Sequence, residues 1–214
     1  MNRTPNFDRL AGIYRWLEMA TFGPWLWRCR CAYLGEFRHC RQALVLGDGD
    51  GRFTARLLRE NPDLQIDAVD ASPAMLRALA RRATPHAGRL RTFAADARHW
   101  LPPQAPPYDL VVTHFFLDCL TTAEVQSLAS RLQHALSHDA IWVISEFAIP
   151  SGSFGTLIAW PVVSILYRIF GLLTGLAIRR LPNHRSALEQ AGFARRQSRV
   201  WLSGLLVSEL WSAG

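Results

Sequence analysis

The chain has 214 residues, half of them apolar, which is enough material for one sizeable hydrophobic core. Its formal net charge of +7 is carried by arginine alone, since none of the 24 basic residues is a lysine. These arginines are scattered, with no run of like charges and no aromatic signature of RNA binding, which argues against a nucleic-acid partner.

The first 41 residues are predicted to form a helical lid. Residues 7–22 repeat apolar side chains at helical spacing, and Gly23-Pro24 end that pattern. A second helix is predicted from Pro24 to about Arg41. The opening stretch MNRTPNFDRL lacks the apolar run of a secretory signal, so a cytoplasmic protein is expected.

Three cysteines lie close together in this region, at Cys29, Cys31 and Cys40. Their spacing, C-x-C-x8-C, fits none of the common zinc-binding patterns. We therefore expect no metal site. Together with Cys119 they are predicted to be reduced, partly buried thiols.

Beyond the lid, short apolar runs alternate with helical stretches. The runs rich in valine and isoleucine predict strands at residues 43–46, 65–70, 90–95, 109–114 and 140–147. Helices are predicted at residues 52–60, 72–83 and 121–137. Because strands joined through helices run parallel and are buried on both faces, residues 42–147 predict a doubly wound α/β sheet.

The chain changes character again after the fifth strand. Within an apolar insert at residues 148–182, the stretch 154–178 is long enough to cross a bilayer. Arg168 and Pro161 interrupt it, and a charge near the middle of a span costs roughly 2.5–3.5 kcal/mol. We expect instead a helix that lines an apolar pocket and reaches at most a membrane surface. Residues 183–214 predict a closing helix and an antiparallel hairpin, all within a single domain.

Residues 43–58, ALVLGDGDGRFTARLL, place a glycine turn between a strand and a helix. Glycines let a ligand approach the backbone N–H groups at the start of the helix, which makes a cradle for an anion or a cofactor. The dinucleotide fingerprint G-x-G-x-x-G would need a glycine where Arg52 stands, and no Lys-Ser/Thr pair forms a triphosphate loop. Gly47, Gly49 and Gly51 instead give G-x-G-x-G.

Carboxylates follow the next two strands. Asp70 ends the second strand, where it can accept both hydroxyls of a ribose above the glycine turn and would repel a 2′-phosphate. Asp96 follows the third strand and can accept from an exocyclic amine. A ribose and an adenine without pyrophosphate chemistry indicate an adenosyl ligand.

These segments resemble the class I S-adenosylmethionine-dependent methyltransferases. The matching pieces, in the order and spacing of that family, are VLGDGDG, AVDASPAML, AADA and YDLVVTHFFLDCL. The resemblance implies S-adenosylmethionine as the cofactor. It also implies a Rossmann-like α/β fold, a doubly wound seven-stranded sheet of order 3-2-1-4-5-7-6 with an antiparallel last strand and N-terminal helices.

The resemblance further assigns the cofactor-binding residues. Those implied to border the methionine and ribose are Gly47, Gly49, Gly51 and Asp70. Those implied to contact the adenine are Ala71, Met75, Asp96 and Ala97. Many relatives carry an acid two positions before the first glycine, whereas this chain has Val45. Asp48 or Asp50 in the turn is expected to contact the amino group in its place.

The two ends of the chain narrow the comparison. FDRLAGIYRWLEMATFG and the tail RLPNHRSALEQAGFARRQSRVWLSGLLVSELW are similar to the ubiquinone/menaquinone C-methyltransferases. That resemblance implies a small lipophilic acceptor, and the apolar insert independently suggests the same. We predict methyl transfer to the oxygen or carbon of a quinol-like or phenolic acceptor. None of these patterns indicates an oligomeric state.

A base would help to deprotonate such an acceptor, whereas the sulfonium donor is already activated. His114 ends the fourth strand, where cofactor and substrate should meet, and is the first candidate; a histidine hydrogen-bonded in a polar rim is the alternative. Asp118 is expected to orient that histidine, to bind substrate or to cap the helix near residue 121. Phe115 is expected to line the cofactor or substrate pocket, and Tyr14 is a candidate lid contact.

Two other classes of function stay open. An NAD-dependent oxidoreductase shares the predicted sheet, although Arg52 stands where its fingerprint has a glycine. A non-catalytic adenosyl-binding or membrane-peripheral protein would share even the cofactor site. Turnover distinguishes that class from an enzyme.

Overall fold

The computed structural model describes residues 22–103, 106–150, 152–153, 155–165 and 181–213. The strands are β1 (Gln42–Leu46), β2 (Gln65–Asp70), β3 (Leu90–Ala94), β4 (Tyr108–His114), β5 (Leu136–Phe147), β6 (Phe193–Trp201) and β7 (Leu206–Ala213). The α-helices with described bounds are α1 (Pro24–Arg30), α2 (Arg52–Glu60), α3 (Pro73–Arg82), α4 (Thr122–Gln133) and α5 (His184–Gln190). The predicted helix at residues 7–22 lies outside these residues, apart from its last position.

The strands form one seven-stranded sheet with the order β3-β2-β1-β4-β5-β7-β6. Strands β1 to β5 pair in parallel, and β7 pairs antiparallel with both β5 and β6. The predicted Rossmann-like order and the antiparallel last strand are therefore confirmed. The bounds of β2 and α2 also agree with the predicted ones.

Both faces of this sheet are buried, as parallel strands joined through helices require. Alternate side chains along each strand point to opposite faces, so Leu44 and Val111 pack on one side while Val45 and Val112 pack on the other. Helices α4 and α5 cover the first face, and α2 and α3 cover the second. Strands β1 and β4 are buried on both faces and read as apolar runs in the sequence, whereas the outer strands β3 and β6 are largely exposed.

Two predicted helices are longer than the real ones. The helix from Pro24 ends at Arg30 instead of continuing to Arg41, and a short 3₁₀ turn, Leu34–Phe37, follows it. Gly35 lies in that turn, and a glycine inside a helix is about 1 kcal/mol less favourable than an alanine. The helix predicted to reach residue 137 ends at Gln133, because β5 already begins at Leu136 and pairs there with Tyr108.

Helix α4 begins with a capping box. The Thr121 side chain accepts from the Glu124 amide, and the Glu124 carboxylate accepts from the Thr121 amide. The expectation that Asp118 caps this helix was therefore wrong. Sequence reasoning missed the S/T-x-x-E pattern at residues 121–124 that marks the true cap.

The described part of the apolar insert is helical over residues 155–165 and opens with a π-helical stretch, Gly155–Ala159. Ala159 and Val163 are buried, whereas Leu157, Trp160 and Ile165 are exposed to solvent. Among the described residues, no helix is both long and apolar enough to cross a bilayer. Most of the stretch 154–178 lies outside them.

Gly51 fixes the packing of α2 against α3. It precedes α2 with a φ of 77°, in the left-handed region that favours glycine. A Cβ atom there would lie 2.6 Å from the Cα atom of Leu79 in α3, which is closer than real atoms approach. The glycine is therefore required both by its own backbone and by the neighbouring helix.

A buried carboxylate ties α5 and β6 to β7. Glu209 is fully buried, and it accepts hydrogen bonds from Arg185, Arg195 and Trp211 at 2.8–3.2 Å, with His184 at 3.2 Å. Burial alone would raise the pKa of Glu209. The hydrogen bond and charge of His184, together with Arg185 and Arg195, outweigh burial and lower that pKa to about 2.

Replacing Gly51 by alanine should destabilise the fold by at least ~2 kcal/mol, because the new side chain adds backbone strain and overlaps α3. Urea unfolding followed by circular dichroism measures the loss. Gly88→Ala is the matched control, since a Cβ atom at Gly88 meets nothing within 4 Å. Equal stability of Gly51→Ala and Gly88→Ala would contradict the packing assigned to Gly51.

Replacing Glu209 by glutamine should cost about 3 kcal/mol at pH 7, since two arginines lose a buried counter-charge. The folded-state pKa lies below the ordinary value of 4.5, so this stabilisation is present above pH 4.5 and is lost as the pH falls towards 2. Urea unfolding of wild type and Glu209→Gln at several pH values should show two curves that converge in acid. Glu189→Gln, an exposed change on α5, is the control; a pH-independent gap would contradict the assignment.

Candidate functional site

The residues predicted to bind a cofactor meet at one edge of the sheet. Gly47, Asp70, Asp96 and His114 stand at or just beyond the carboxyl ends of β1, β2, β3 and β4, which are neighbours in the sheet. Backbone pairing continues past the strands, since the Gly47 amide donates to Val69 and the Ala95 amide donates to Asp70. The sequence therefore placed the site at the edge where α/β sheets bind ligands.

The three glycines of the turn have left-handed backbone, with φ of 66° at Gly47, 62° at Gly49 and 77° at Gly51. A side chain at Gly47 would overlap the ring of Phe116, which lies against the turn from the loop after β4. The turn leads directly into the first turn of α2, and its three glycines leave their backbone uncovered by side chains of their own. That surface suits a ligand that approaches backbone N–H groups closely.

The two carboxylates of the turn are bound within the protein. Asp48 is buried, and one of its oxygens accepts from both the amide and the hydroxyl of Thr54 in α2. Burial raises the pKa of Asp48 to about 6. Asp50 pairs instead with Arg52 and with Arg82 of α3. Contact of either acid with a ligand amino group stays a prediction. Val45, where many relatives have an acid, is buried in the core.

Asp70 stands at the tip of β2, half-buried, and one of its oxygens accepts from the Ser72 amide at 2.8 Å. Ser72 in turn caps α3 by accepting from the Met75 amide. Ala71 is exposed and Met75 is buried. The turn from β2 into α3 therefore orients the Asp70 carboxylate. A carboxylate that binds ribose hydroxyls has to be oriented in this way.

Asp96 has a strong partner of its own. Both of its oxygens accept from the Arg98 guanidinium, and Arg98 also approaches Glu124 at 3.5 Å. Burial would raise the pKa of Asp96, but these hydrogen bonds outweigh it and lower the pKa. The carboxylate is therefore held ionised as an acceptor. Ala97 is buried, and its carbonyl accepts from Arg131 at 2.9 Å.

His114 is enclosed at the end of β4. It is only 3% exposed, and its ring centroid lies 4.4 Å from that of Phe53 in an edge-on arrangement. Neither ring nitrogen has a hydrogen-bond partner among the described residues. Burial and the positive charge of Arg30 lower the pKa of His114 well below its ordinary value. The imidazole is therefore neutral at pH 7. The positive charge of Arg30 also makes the imidazole a weak proton acceptor.

The expectation that Asp118 orients His114 was wrong, because no hydrogen bond joins them. Asp118 is buried in the 3₁₀ turn Leu117–Cys119 and accepts from the Cys119 thiol at 3.4 Å. This turn is held by Glu146 at the end of β5, whose carboxylate accepts from the Phe116 and Leu117 amides. Burial and the nearby Asp118 raise the pKa of Glu146 well above its ordinary value.

A third apolar cluster lies beyond the ends of β4 and β5. Its buried members are Phe22, Leu26, Cys29, Phe147, Ala159, Val163, Leu205 and Leu206. Phe115 packs on this cluster, and its ring centroid lies 5.0 Å from that of Phe147. Its backbone φ is 55°, in a region that residues other than glycine rarely adopt. Strain of this kind is concentrated at functional sites. The packing against Phe147 shows that the Phe115 ring lies on the apolar cluster.

Sequence reasoning missed Arg30, which is buried at the end of α1 and lies 5.3 Å from the ring centroid of Phe115. One arginine among 24 basic residues gives no signal of its own, and only the packing of α1 on β7 brings it to the site. Tyr14, the predicted lid contact, lies outside the described residues. Cys29 and Cys40 are buried, and burial raises the pKa of both thiols to about 12.

Comparison with known proteins fits this geometry. Residues 44–141 match a family model described as a methyltransferase domain. A trans-aconitate 2-methyltransferase of Streptomyces avermitilis is 45% identical over 71 residues, which cover 32% of this chain and 26% of that protein. The chain thus matches about a quarter of that relative's length.

Solved structures share the fold over much more of the chain. An O-methyltransferase family protein from Burkholderia thailandensis superposes with a TM-score of 0.70 and 17% identity, over 95% of this chain and 59% of that one. The N-methyltransferase NodS of Bradyrhizobium japonicum, solved with S-adenosyl-L-homocysteine, gives a TM-score of 0.61 and 12% identity, over 88% and 84%. Residues 44–141 are therefore similar to a methyltransferase domain, and the sheet order and the glycine turn accompany a fold that the chain shares with solved methyltransferases.

Proposed function

We propose that this protein transfers the methyl group of S-adenosylmethionine to an oxygen or carbon atom of a small, largely apolar acceptor. The observation that carries the proposal is the shared edge at which the glycine turn, Asp70 and Asp96 meet. The match of residues 44–141 to a methyltransferase domain supports the cofactor, and the third apolar cluster supports the nature of the acceptor.

The residues at this edge fit an adenosyl cofactor. The turn offers backbone without side chains at Gly47 and Gly49, and Asp70 offers an oriented carboxylate for two ribose hydroxyls. Asp96 and Ala97 lie next along the edge for the adenine, with Ala71 and Met75 beside them. S-adenosylmethionine, when bound, would supply an electrophilic methyl group, so the protein mainly has to position the acceptor.

The acceptor side of the proposed site is apolar and aromatic. The rings of Phe22, Phe147 and Phe115 follow one another with centroids 5.2 and 5.0 Å apart at the ends of β4 and β5. Such a surface favours a phenolic, quinol-like or other lipophilic acceptor over a charged one. The described half of the insert contributes Ala159 and Val163 to the same cluster.

We assign His114 a hydrogen-bonding role toward the acceptor in place of the general-base role expected from the sequence. Both ring nitrogens are buried and have no hydrogen-bond partner within the described ranges of the chain, and a substrate hydroxyl or carbonyl would supply one. A general base must become positively charged, and Arg30 together with burial opposes that charge. The bound sulfonium would oppose it further. Deprotonation of the acceptor therefore falls to solvent or to the acceptor's own acidity.

The rival functions differ in observable ways. An NAD-dependent oxidoreductase would bind NADH, but Arg52 stands where the dinucleotide fingerprint has a glycine. A non-catalytic adenosyl-binding protein would hold the cofactor without turnover. Incubation with S-adenosylmethionine and a panel of phenols, quinols and fatty acids distinguishes a methyltransferase from a non-catalytic binding protein. Only the methyltransferase releases S-adenosylhomocysteine in step with a methylated product.

The cofactor assignment predicts that Asp70→Ala loses S-adenosylhomocysteine affinity by about 100-fold or more, because two charge-assisted hydrogen bonds to the ribose disappear. Isothermal titration calorimetry of wild type and variant measures the change. Asp139→Ala is the matched control, since the Asp139 side chain is 95% exposed and lies far from the proposed contacts in the chain. Unchanged affinity in Asp70→Ala would overturn the site, provided that both variants unfold at the wild-type temperature.

We also propose that the insert makes peripheral contact with anionic membranes. Leu157, Trp160 and Ile165 expose apolar side chains on one short helical segment of a chain whose net charge is +7. Apolar area and positive charge together drive a helix onto an anionic interface. A membrane location would also bring a lipophilic acceptor to the site.

Flotation with phosphatidylglycerol-containing vesicles tests this contact. The double variant Leu157→Gln/Trp160→Gln should float several-fold less than wild type, because its apolar contact area is reduced. Leu101→Gln, another change at an exposed leucine outside the insert, should float like wild type. Equal flotation of all three proteins, or of none, would refute a role for the insert.

A further inference from the structure

A basic groove is lined by residues that have been assigned to neither the cofactor nor the acceptor. It has a volume of about 430 Å³ and is lined by Trp27, Arg52, Ala55, Arg56, Arg59 and Arg82. Four of its residues occupy positions 52, 55, 56 and 59 of α2. Positions three and four apart share one face of a helix, so three guanidinium groups of α2 line a single wall.

The acids beside the groove neutralise only part of its charge. Asp50 pairs with Arg52 at 3.0 Å and with Arg82 at 2.8 Å, and Glu60 pairs with Arg56 at 2.7 Å. Among the described residues, two carboxylates therefore pair with three of the four guanidinium groups, and Asp50 is shared between two of them. Clustered like charges cost free energy unless an anion or solvent compensates them.

Arg59 is the arginine of the groove with spare hydrogen-bonding capacity. Its side chain is exposed, and it makes no ion pair or hydrogen bond with any residue in the part of the chain that the structure describes. Trp27, from α1, adds a partly buried indole to the same groove. A guanidinium group next to an indole ring suits a ligand that carries both an anionic group and a carbon framework.

We propose that this groove binds the phosphate group of a phosphorylated ligand. Arg59 has no carboxylate partner among the described residues, Asp50 is shared between two arginines, and guanidinium groups donate paired hydrogen bonds to phosphate oxygens. Arg59 and Arg56 bind the phosphate, and Trp27 contacts the group that carries it. The site does not depend on the methyltransferase chemistry, since none of its residues is assigned to cofactor or acceptor.

The phosphate could belong to a soluble phosphate ester or to a lipid headgroup, since both present the same dianion. Two probes separate these sources. Inorganic pyrophosphate tests the soluble form by calorimetry at low ionic strength, where screening is weak. Phosphatidylcholine vesicles with and without phosphatidic acid test the headgroup by flotation.

The variants are Arg59→Gln and, as a matched control, Arg77→Gln, an exposed arginine of α3 that does not line the groove. Arg59→Gln should weaken binding of pyrophosphate, of phosphatidic acid vesicles or of both by ~10-fold or more, the loss of one charge-assisted hydrogen bond. Arg77→Gln should leave both unchanged. Thermal unfolding midpoints equal to that of wild type confirm that both variants fold.

Three results would overturn the proposal. Wild type could bind neither probe, Arg59→Gln could bind both as tightly as wild type, or Arg77→Gln could lose as much affinity as Arg59→Gln. The last result would mean that net charge alone attracts the anion. S-adenosylhomocysteine affinity, measured in the same variants, should not change, so failure of this groove and failure of the cofactor site are distinguishable.

Discussion

The left-handed turn from Gly47 to Gly51 is the constraint on which the site depends. Gly51 admits no side chain because Leu79 of α3 occupies that space, and Gly47 admits none because Phe116 does. The turn therefore carries bare backbone from the end of β1 into the first turn of α2. Every other element of the proposed cofactor site is positioned relative to this turn by the parallel pairing of β1 with β2 and β4.

The sequence predicted this arrangement to the level of strand ends and no further. Alternation of apolar runs with helices determines a parallel sheet, and a parallel sheet brings the residues after its strands to one edge, so Asp70, Asp96 and His114 could be placed together. Their partners could not be predicted, because side-chain contacts depend on packing between distant elements. The pairing of Asp96 with Arg98 and the approach of Arg30 to the site are examples.

Electrostatics at the edge separates two kinds of carboxylate. Asp96 is held ionised by Arg98, whereas burial and the nearby Asp118 raise the pKa of Glu146, which fixes the loop after β4. His114, buried near Arg30, is neutral. The edge of the sheet therefore combines one carboxylate that is held ionised with a carboxyl group and an imidazole whose uncharged forms are favoured by burial.

The position of the adenosine sugar tests this account most directly. A crystal structure of the protein with S-adenosyl-L-homocysteine should place both ribose hydroxyls within hydrogen-bond distance of the Asp70 carboxylate, with the ligand backbone against Gly47 and Gly49. The assignment would be contradicted by a nucleoside bound elsewhere. It would equally be contradicted by a nucleoside whose ribose hydroxyls face solvent and make no hydrogen bond with Asp70.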